Sequence, residues 1–311
     1  MLLHKEKVRG LPLRRPGCNQ RSRQIFGLAI ATALVAAPRV SHADTEVREL
    51  SINRSVELPL AGVGGVLWIG SELMKPKLAP ETCRWCESTP GIDRSVRDHL
   101  RWKNTHAAGT ASDALDFAIL PVLVLGADAL LASQHGALRG WDEDALVIVE
   151  AVVASAVLNQ AVKFSAGRER PFAHALESDE EKAATHDPAD NNLSFYSGHT
   201  SLAFALVGSA GAVAQMRGYK HAWLVWPIGG LLAGSVGYLR IGADKHWFTD
   251  VATGAVVGGA IGVGMPYLLH APDDADEEGS ANPVQAGFRG PVFAVAWSFC
   301  SARVTTFSPL K

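Results

Sequence analysis

The chain has 311 residues, 48% of them apolar, four cysteines and a formal net charge of −2. The near-neutral charge excludes a bulk electrostatic attraction to nucleic acid. The length allows one large domain or two small ones.

The N-terminus has its own character. Seven basic residues from Lys5 to Arg23 precede an apolar run from Ile25 to Ala37, and Ser41-His42-Ala43 then forms a small-x-small site before Asp44. This order reads as a secretory signal over residues 1–43. A cleaved signal and an uncleaved anchor both place Asp44 outside the cytoplasm. Residues 44–114 read as an extracytoplasmic region of mixed character. Its apolar stretch at 58–74, richest from Leu58 to Gly70, predicts a short buried or interfacial helix rather than a span. Cys83 and Cys86, in "CRWC", predict a structural disulfide in an oxidising compartment. Cys18 would leave with the signal, and Cys300 reads as a lone thiol.

From 115 the pattern changes. Five apolar segments follow, at 117–133, 144–162, 201–216, 222–239 and 248–269, each about the length of a short membrane span. Gly254, Gly258 and Gly262 recur every four residues, a spacing that lets helices approach closely in a membrane. The expectation is an all-α, membrane-embedded bundle of about five core apolar helices over residues 115–270. The acidic connection at 172–193 predicts a solvated surface loop. The tail at 271–311 opens with "DDADEE" and carries no assigned function.

Polar residues concentrate in three stretches at the ends of these segments: "KFSAGRERP" (163–171), "SFYSGHT" (194–200) and "LRIGADKHWFTD" (239–250). Helices in up-down order bring all three to one end of the bundle. Lys163, Arg170 and Arg240 then form an anion site suited to phosphate, with Ser197 and the Gly198 amide as further donors. His246 and Asp250, four residues apart, would share a helical face, the carboxylate orienting the imidazole as a nucleophile. His199 is left as the acid for the leaving alcohol. The carboxylates do not cluster with the histidines as metal ligands, so no metal or other cofactor is expected in this site.

These residues resemble the three motifs of the type 2 phosphatidic acid phosphatases, a superfamily shared with bacterial acid phosphatases and vanadium haloperoxidases. Lys163 to Arg170-Pro171 matches the first motif. Ser197-Gly198-His199 matches the second, with Tyr196 where the family has proline. Arg240, His246 and Asp250 match the third, with Leu239 in place of a serine. The resemblance implies a phosphatase working without metal through a phosphohistidine at His246. Asp250 would orient that histidine, His199 would serve as acid and then base, and Lys163, Arg170, Arg240, Ser197 and Gly198 would hold the phosphate. A phosphorylated lipid in the membrane is the expected substrate. A secreted soluble acid phosphatase and a vanadium haloperoxidase are the alternatives. With Asp44 outside and 58–74 not crossing, the site faces the periplasm or cell exterior; a crossing at 58–74 would turn it inward.

Overall fold

The computed structural model describes residues 47–86 and 91–271. The expected signal segment, Cys18, Cys300 and the acidic tail lie outside them. Among the described residues every regular element is a helix, apart from an isolated parallel bridge between Trp85 and Arg168. Helix α1 spans Arg54–Leu73, the short α2 Lys75–Leu78 and α3 Gly91–Leu100. Helix α4 (Thr105–Ala114) continues through a π-turn at Leu115–Ile119 into α5 (Leu120–Gln134). Then come α6 (Trp141–Ala166), the short α7 (Pro171–His174) and α8 (Asp179–Ala183), α9 (Gly198–Met216), α10 (Val225–Gly242) and α11 (Phe248–Leu269).

The predicted segments at 117–133, 144–162, 201–216, 222–239 and 248–269 correspond to α5, α6, α9, α10 and α11. Among the described residues, five helical stretches are long and apolar enough to cross a membrane: Arg54–Leu73, Thr105–Gln134, Leu138–Ala166, Ala222–Gly242 and Phe248–Leu269. This set differs from the expectation at two places. Helix α9 falls outside it because it is the hub, rich in Gly, Ala and Ser. It packs against α5, α6, α10 and α11, with most of its residues buried. Helix α1 falls inside it, and none of its residues is buried. The apolar run at 58–70 looked too short because the helix begins four residues before it, so α1 has 20 residues. Its Val66 is 71% exposed, and Leu58, Leu60, Val63 and Ile69 are also exposed. In water that surface would be costly; against lipid tails it is neutral.

Large apolar residues such as Val122, Leu231 and Val256 point out, while the core combines Leu120, Ile148, Val213 and Val236 with alanines. The tightest contact is between α9 and α11. A Cβ on Gly254 would lie 2.6 Å from the Ser197 carbonyl oxygen, one on Gly258 2.1 Å from that of Ser201, and one on Gly262 2.4 Å from that of Ala205. The three glycines therefore set the distance between these helices.

Direction alternates through the bundle. Arg54 at the start of α1 pairs with Asp142 at 2.6 Å and Glu143 at 3.0 Å at the start of α6, so these two helices run parallel. The starts of α4, α9 and α11 meet the ends of α1, α6 and α10 at the opposite end, around one cavity. All three polar stretches of the sequence lie at that end.

The glycine geometry generates a paired prediction. Gly258→Ala should cost about 1–3 kcal/mol by overpacking, read as a lower Tm in detergent. Gly259→Ala, with open space around its Cβ position, should leave Tm unchanged. Equal effects from the two would mean that α9 and α11 are not in backbone contact.

Candidate active site

The first polar stretch is shaped by a helix ending. Helix α6 stops at Gly167, which has φ 57°, a left-handed conformation that only glycine adopts without strain. The chain turns there. The Gly167 carbonyl accepts the amides of Arg84 and Trp85, so the CRWC loop docks on the turn. Cys83 and Cys86 are joined by a disulfide with a Cα–Cα distance of 5.5 Å. Lys163 sits on the last turn of α6 and faces the cavity, while Arg170 follows the turn.

Arg170 is clamped on three sides. Its Nε donates to the Asp190 carbonyl at 2.9 Å, its Nη2 to Asp190 Oδ1 at 2.8 Å and its Nη1 to the Lys245 carbonyl at 2.9 Å. Nη1 also lies 3.1 Å from His246 Nε2. Asp190 comes from the acidic connection that the sequence presented as a solvated loop. Only part of it behaves so: Asn191 and Asn192 are buried, and the Asp190 carboxylate serves the site. Burial alone would raise its pKa, but Arg170, Lys75, Lys163 and Lys245 outweigh that and hold it well below its ordinary value.

His246 lies on the loop before α11 and is almost fully buried. Its Nδ1 is 2.8 Å from the Ser194 carbonyl oxygen. A carbonyl only accepts, so Nδ1 carries the proton and Nε2 presents its lone pair towards Arg170. Burial first, then the cations Arg170, Arg240 and Lys163, push the imidazole well below its ordinary range. It is therefore neutral at physiological pH.

The expected His246–Asp250 contact is longer than a hydrogen bond, with Nδ1 and Oδ2 3.8 Å apart. The i,i+4 argument assumed one helical turn. His246 instead precedes the helix, with Trp247 as its N-cap. Asp250 faces inward to a different set of donors: the Ser194 hydroxyl, the Trp247 amide and Arg168. Its link to His246 runs through Ser194, whose hydroxyl it binds and whose carbonyl holds the imidazole.

Ser197 also differs from expectation. It is fully buried and caps α9, accepting the Thr200 amide at 3.4 Å and pairing with the Thr200 hydroxyl at 2.9 Å. Its oxygen is used by the helix, not the cavity. Gly198 has the expected close approach. A Cβ there would lie 2.7 Å from Asn159 Oδ1 and 3.2 Å from Lys163 Nζ. His199, one residue on, lines the cavity, and its Nε2 is 2.8 Å from Asp113 Oδ1. Arg240, on the last turn of α10, donates to the same oxygen at 3.0 Å, and its Nε is buried without a partner.

Lys163, Arg170, Gly198, His199, Arg240 and His246 thus share one cavity of about 870 Å³. Sequence reasoning missed four residues around it: Asp113, Asp190, Arg168 and Asp93. Arg168 donates to Asp93 Oδ2 at 2.8 Å, to Thr249 Oγ1 at 2.8 Å and to Asp250, and its guanidinium lies 4.3 Å from the Trp85 ring centre. A buried arginine between two carboxylates leaves no local sequence signal, because Asp93, Arg168 and Asp250 lie on three separate segments. Asp113 had a weak signal as one of few charges near the start of a long apolar stretch.

Residues 144–273 match the family model of the PAP2 superfamily. That span contains all eight residues expected in the site. Among solved structures, the chain is similar to the first transmembrane PAP2-type phosphatidylglycerolphosphate phosphatase from Bacillus subtilis, at 17% identity. The match covers 73% of this chain and 96% of that one, with a TM-score of 0.37. No curated protein matches the chain.

Two predictions follow from the pairings. Asp250→Asn removes a charge partner of buried Arg168 and should cost on the order of 3–5 kcal/mol, lowering Tm together with activity. A variant with unchanged Tm would mean that Arg168 does not depend on Asp250. Asp113→Asn frees Arg240 from a carboxylate that competes with any anionic ligand. Inhibition by inorganic phosphate should tighten about three- to tenfold, on the order of 1 kcal/mol for a half-exposed pair, while turnover falls as His199 loses its anionic partner. Weaker phosphate inhibition would show that Asp113 supports the cradle instead of competing for it.

Proposed function

We propose that this PAP2-type phosphatase hydrolyses the phosphomonoester or pyrophosphate group of a membrane lipid through a phosphohistidine at His246. The observation that carries the reading is the direction of His246. A neutral imidazole, with its proton fixed on Nδ1 by the Ser194 carbonyl, offers the Nε2 lone pair beside Arg170, in a cavity that Lys163 and Arg240 also line.

The steps follow from these positions. The three cations and the Gly198 amide receive the phosphate oxygens and stabilise the charge of the five-coordinate transition state. His246 Nε2 forms the N–P bond as the P–O bond to the lipid alcohol breaks. Burial first, then Arg240, hold the His199 imidazole down to about 3, with Asp113 opposing them. It therefore gives that alcohol its proton only as an imidazolium that forms when the phosphate's negative charge binds beside it. Water then attacks phosphorus, His199 takes the water proton, and the N–P bond breaks to release phosphate. The cations supply the charge stabilisation that a metal would otherwise provide, so hydrolysis should persist in excess chelator.

The lipid part of the reading rests on the cavity wall and the bundle surface. Trp68, Ile69 and Leu73 of α1 face the cavity together with Phe117 of the π-turn, an apolar lining beside a cationic floor. The outward-facing apolar belt favours a membrane enzyme over a soluble acid phosphatase.

The side of the membrane needs a different argument from the sequence reading. If α1 crosses, a segment exported before it would turn the cradle inward. An outward cradle instead requires residues before Arg54 to stay in the cytoplasm. The basic N-terminus favours that, and Ile25–Ala37 is short for a span. The Cys83–Cys86 disulfide at the cradle end supports an outward face, since disulfides persist in oxidising compartments. We therefore place the cradle outside the cytoplasm and retain the N-terminal segment inside.

Three outcomes test this reading. His246→Ala should abolish phosphate release while the protein still folds, with some loss of Tm from the cavity it leaves; activity within a few-fold of the parent would remove the nucleophile. The acid limb of kcat/KM should lie well below 6.5, the ordinary histidine value, because the reactive form is the neutral imidazole and burial and cations keep it neutral into acid. A limb at or above that value would assign the nucleophile elsewhere. A reporter active only in the cytoplasm should be active when fused after Gly140 and silent within 177–190; the reverse pattern would turn the cradle inward.

A further inference from the structure

A second cluster of titratable side chains lies at the other end of the bundle, and the proposed reaction does not use it. Glu57 stands on the first turn of α1, Glu150 within α6, and His270 directly after α11. Among the described residues these are the three His, Cys, Asp or Glu side chains whose ligand atoms lie within 4.8 Å of one another. His270 and Glu150 are buried, with side chains 2% and 7% exposed; Glu57 is 16% exposed. Asp250 lies in the first turn of α11 and His270 directly after its end, so about 30 Å of helix, at 1.5 Å per residue, separates this cluster from the cradle.

We propose that Glu57, Glu150 and His270 form a structural site for a divalent transition-metal ion, zinc by the chemistry of its ligands. Each ligand is oriented by a contact on its other atom. His270 Nδ1 is 3.1 Å from the Ser51 carbonyl oxygen, which fixes the proton on Nδ1 and leaves Nε2 as the ligand. Glu57 Oε1 accepts the Asn53 amide at 2.8 Å, while its Oε2 is buried without a partner. Glu150 Oε2 lies 3.2 Å from His270 Nε2. Two ligand atoms bound to one tetrahedral zinc lie about 3.3 Å apart, given metal–ligand distances of about 2.0–2.1 Å. The His270–Glu150 spacing already matches that edge, and Glu57 stands within reach, with its Oε1 3.8 Å from His270 Nδ1 and a ligand atom within 4.8 Å of the other two.

The charges point the same way. A neutral His270 leaves two carboxylates beside a nitrogen lone pair, an arrangement that a cation between them resolves. A nitrogen with two carboxylate oxygens suits zinc, and water would fill the open fourth position. The competing occupant is a proton on Nε2, which would make His270 a cation between Ser51 and Glu150. Either occupant ties the beginning of α1 to α6 and to the end of α11. Only the metal uses the free Glu57 oxygen.

The test uses the full-length protein purified in detergent, stripped with chelator and dialysed against zinc. Metal analysis should find one zinc ion per chain. Zinc should raise the Tm of the stripped protein by several degrees, since a ligand that binds only the folded state stabilises it. Glu57→Gln, which removes the most exposed ligand, and Glu150→Gln should each lose both the bound zinc and the Tm rise. Hydrolysis, measured below the unfolding temperature, should be the same with and without zinc, which separates this site from the cradle. Substoichiometric zinc in the parent protein with no Tm response would overturn the proposal in favour of a protonated His270. Zinc retained by both variants would place the metal elsewhere and overturn it equally.

Discussion

The end of the bundle that holds the cavity depends on one buried cation. Arg168 is 2% exposed and stands between Asp93 and Asp250, which are both fully buried. Taking three charges out of water is costly unless every lone pair finds a donor. Here they do. Asp250 receives Arg168, the Ser194 hydroxyl and the Trp247 amide, and Asp93 receives Arg168 together with the Thr249 amide and hydroxyl. The result is a rigid knot joining the turn after α6, the start of α11, the strand-like approach to α9 and helix α3. His246 is positioned by this knot at second hand, through the Ser194 carbonyl. Arg170, two residues after Arg168, is positioned by the same turn.

This arrangement explains how far the sequence could be read. The five core apolar segments, their alternation and the meeting of three polar stretches at one end all follow from run length and order. Lys163, Arg170, Gly198, His199, Arg240 and His246 consequently fell into one cavity as expected. The differences share a physical origin. His246 and Asp250 were treated as neighbours on a helix, but the helix starts between them, and the boundary residue decides which way a side chain turns. Ser197 was treated as a ligand donor because hydroxyls bind phosphate, yet a serine in front of a helix is at least as suited to cap it. Helix α1 was judged from its apolar run alone, and its polar first turn added the length that a span needs.

The same packing logic governs the two ends differently. Between them, α9 and α11 touch through glycines opposite backbone carbonyls, so the middle of the bundle contains little that can rearrange. At the cradle end the helices are held by arginine–carboxylate contacts. At the opposite end, Arg217 binds Asp144 at 2.6 Å and Glu143 at 3.0 Å, and Tyr219 donates to Asp144 at 2.8 Å. Charged residues are thus confined largely to the ends, where water or headgroups solvate what the protein does not pair. The apolar middle offers lipid only side chains that cost nothing to expose there.

The part of the chain outside the family match does more than precede the catalytic domain. Residues 47–114 supply Asp93 to the Arg168 knot and Asp113 to His199 and Arg240. They also supply Lys75 to Asp190, Arg97 to Asp244 through two contacts of 2.6 Å, and the α1 side chains to the cavity wall. None of these is among the eight residues that carry the family resemblance. In the proposed reaction the six of those eight that line the cavity would meet the phosphate group, which any phosphate ester presents alike. The body attached to that phosphate meets a different wall, built from α1, α4 and the π-turn. Under the proposed lipid reading, selection among substrates of common headgroup chemistry would act through this N-terminal region, whose Asp113 holds both His199 and Arg240.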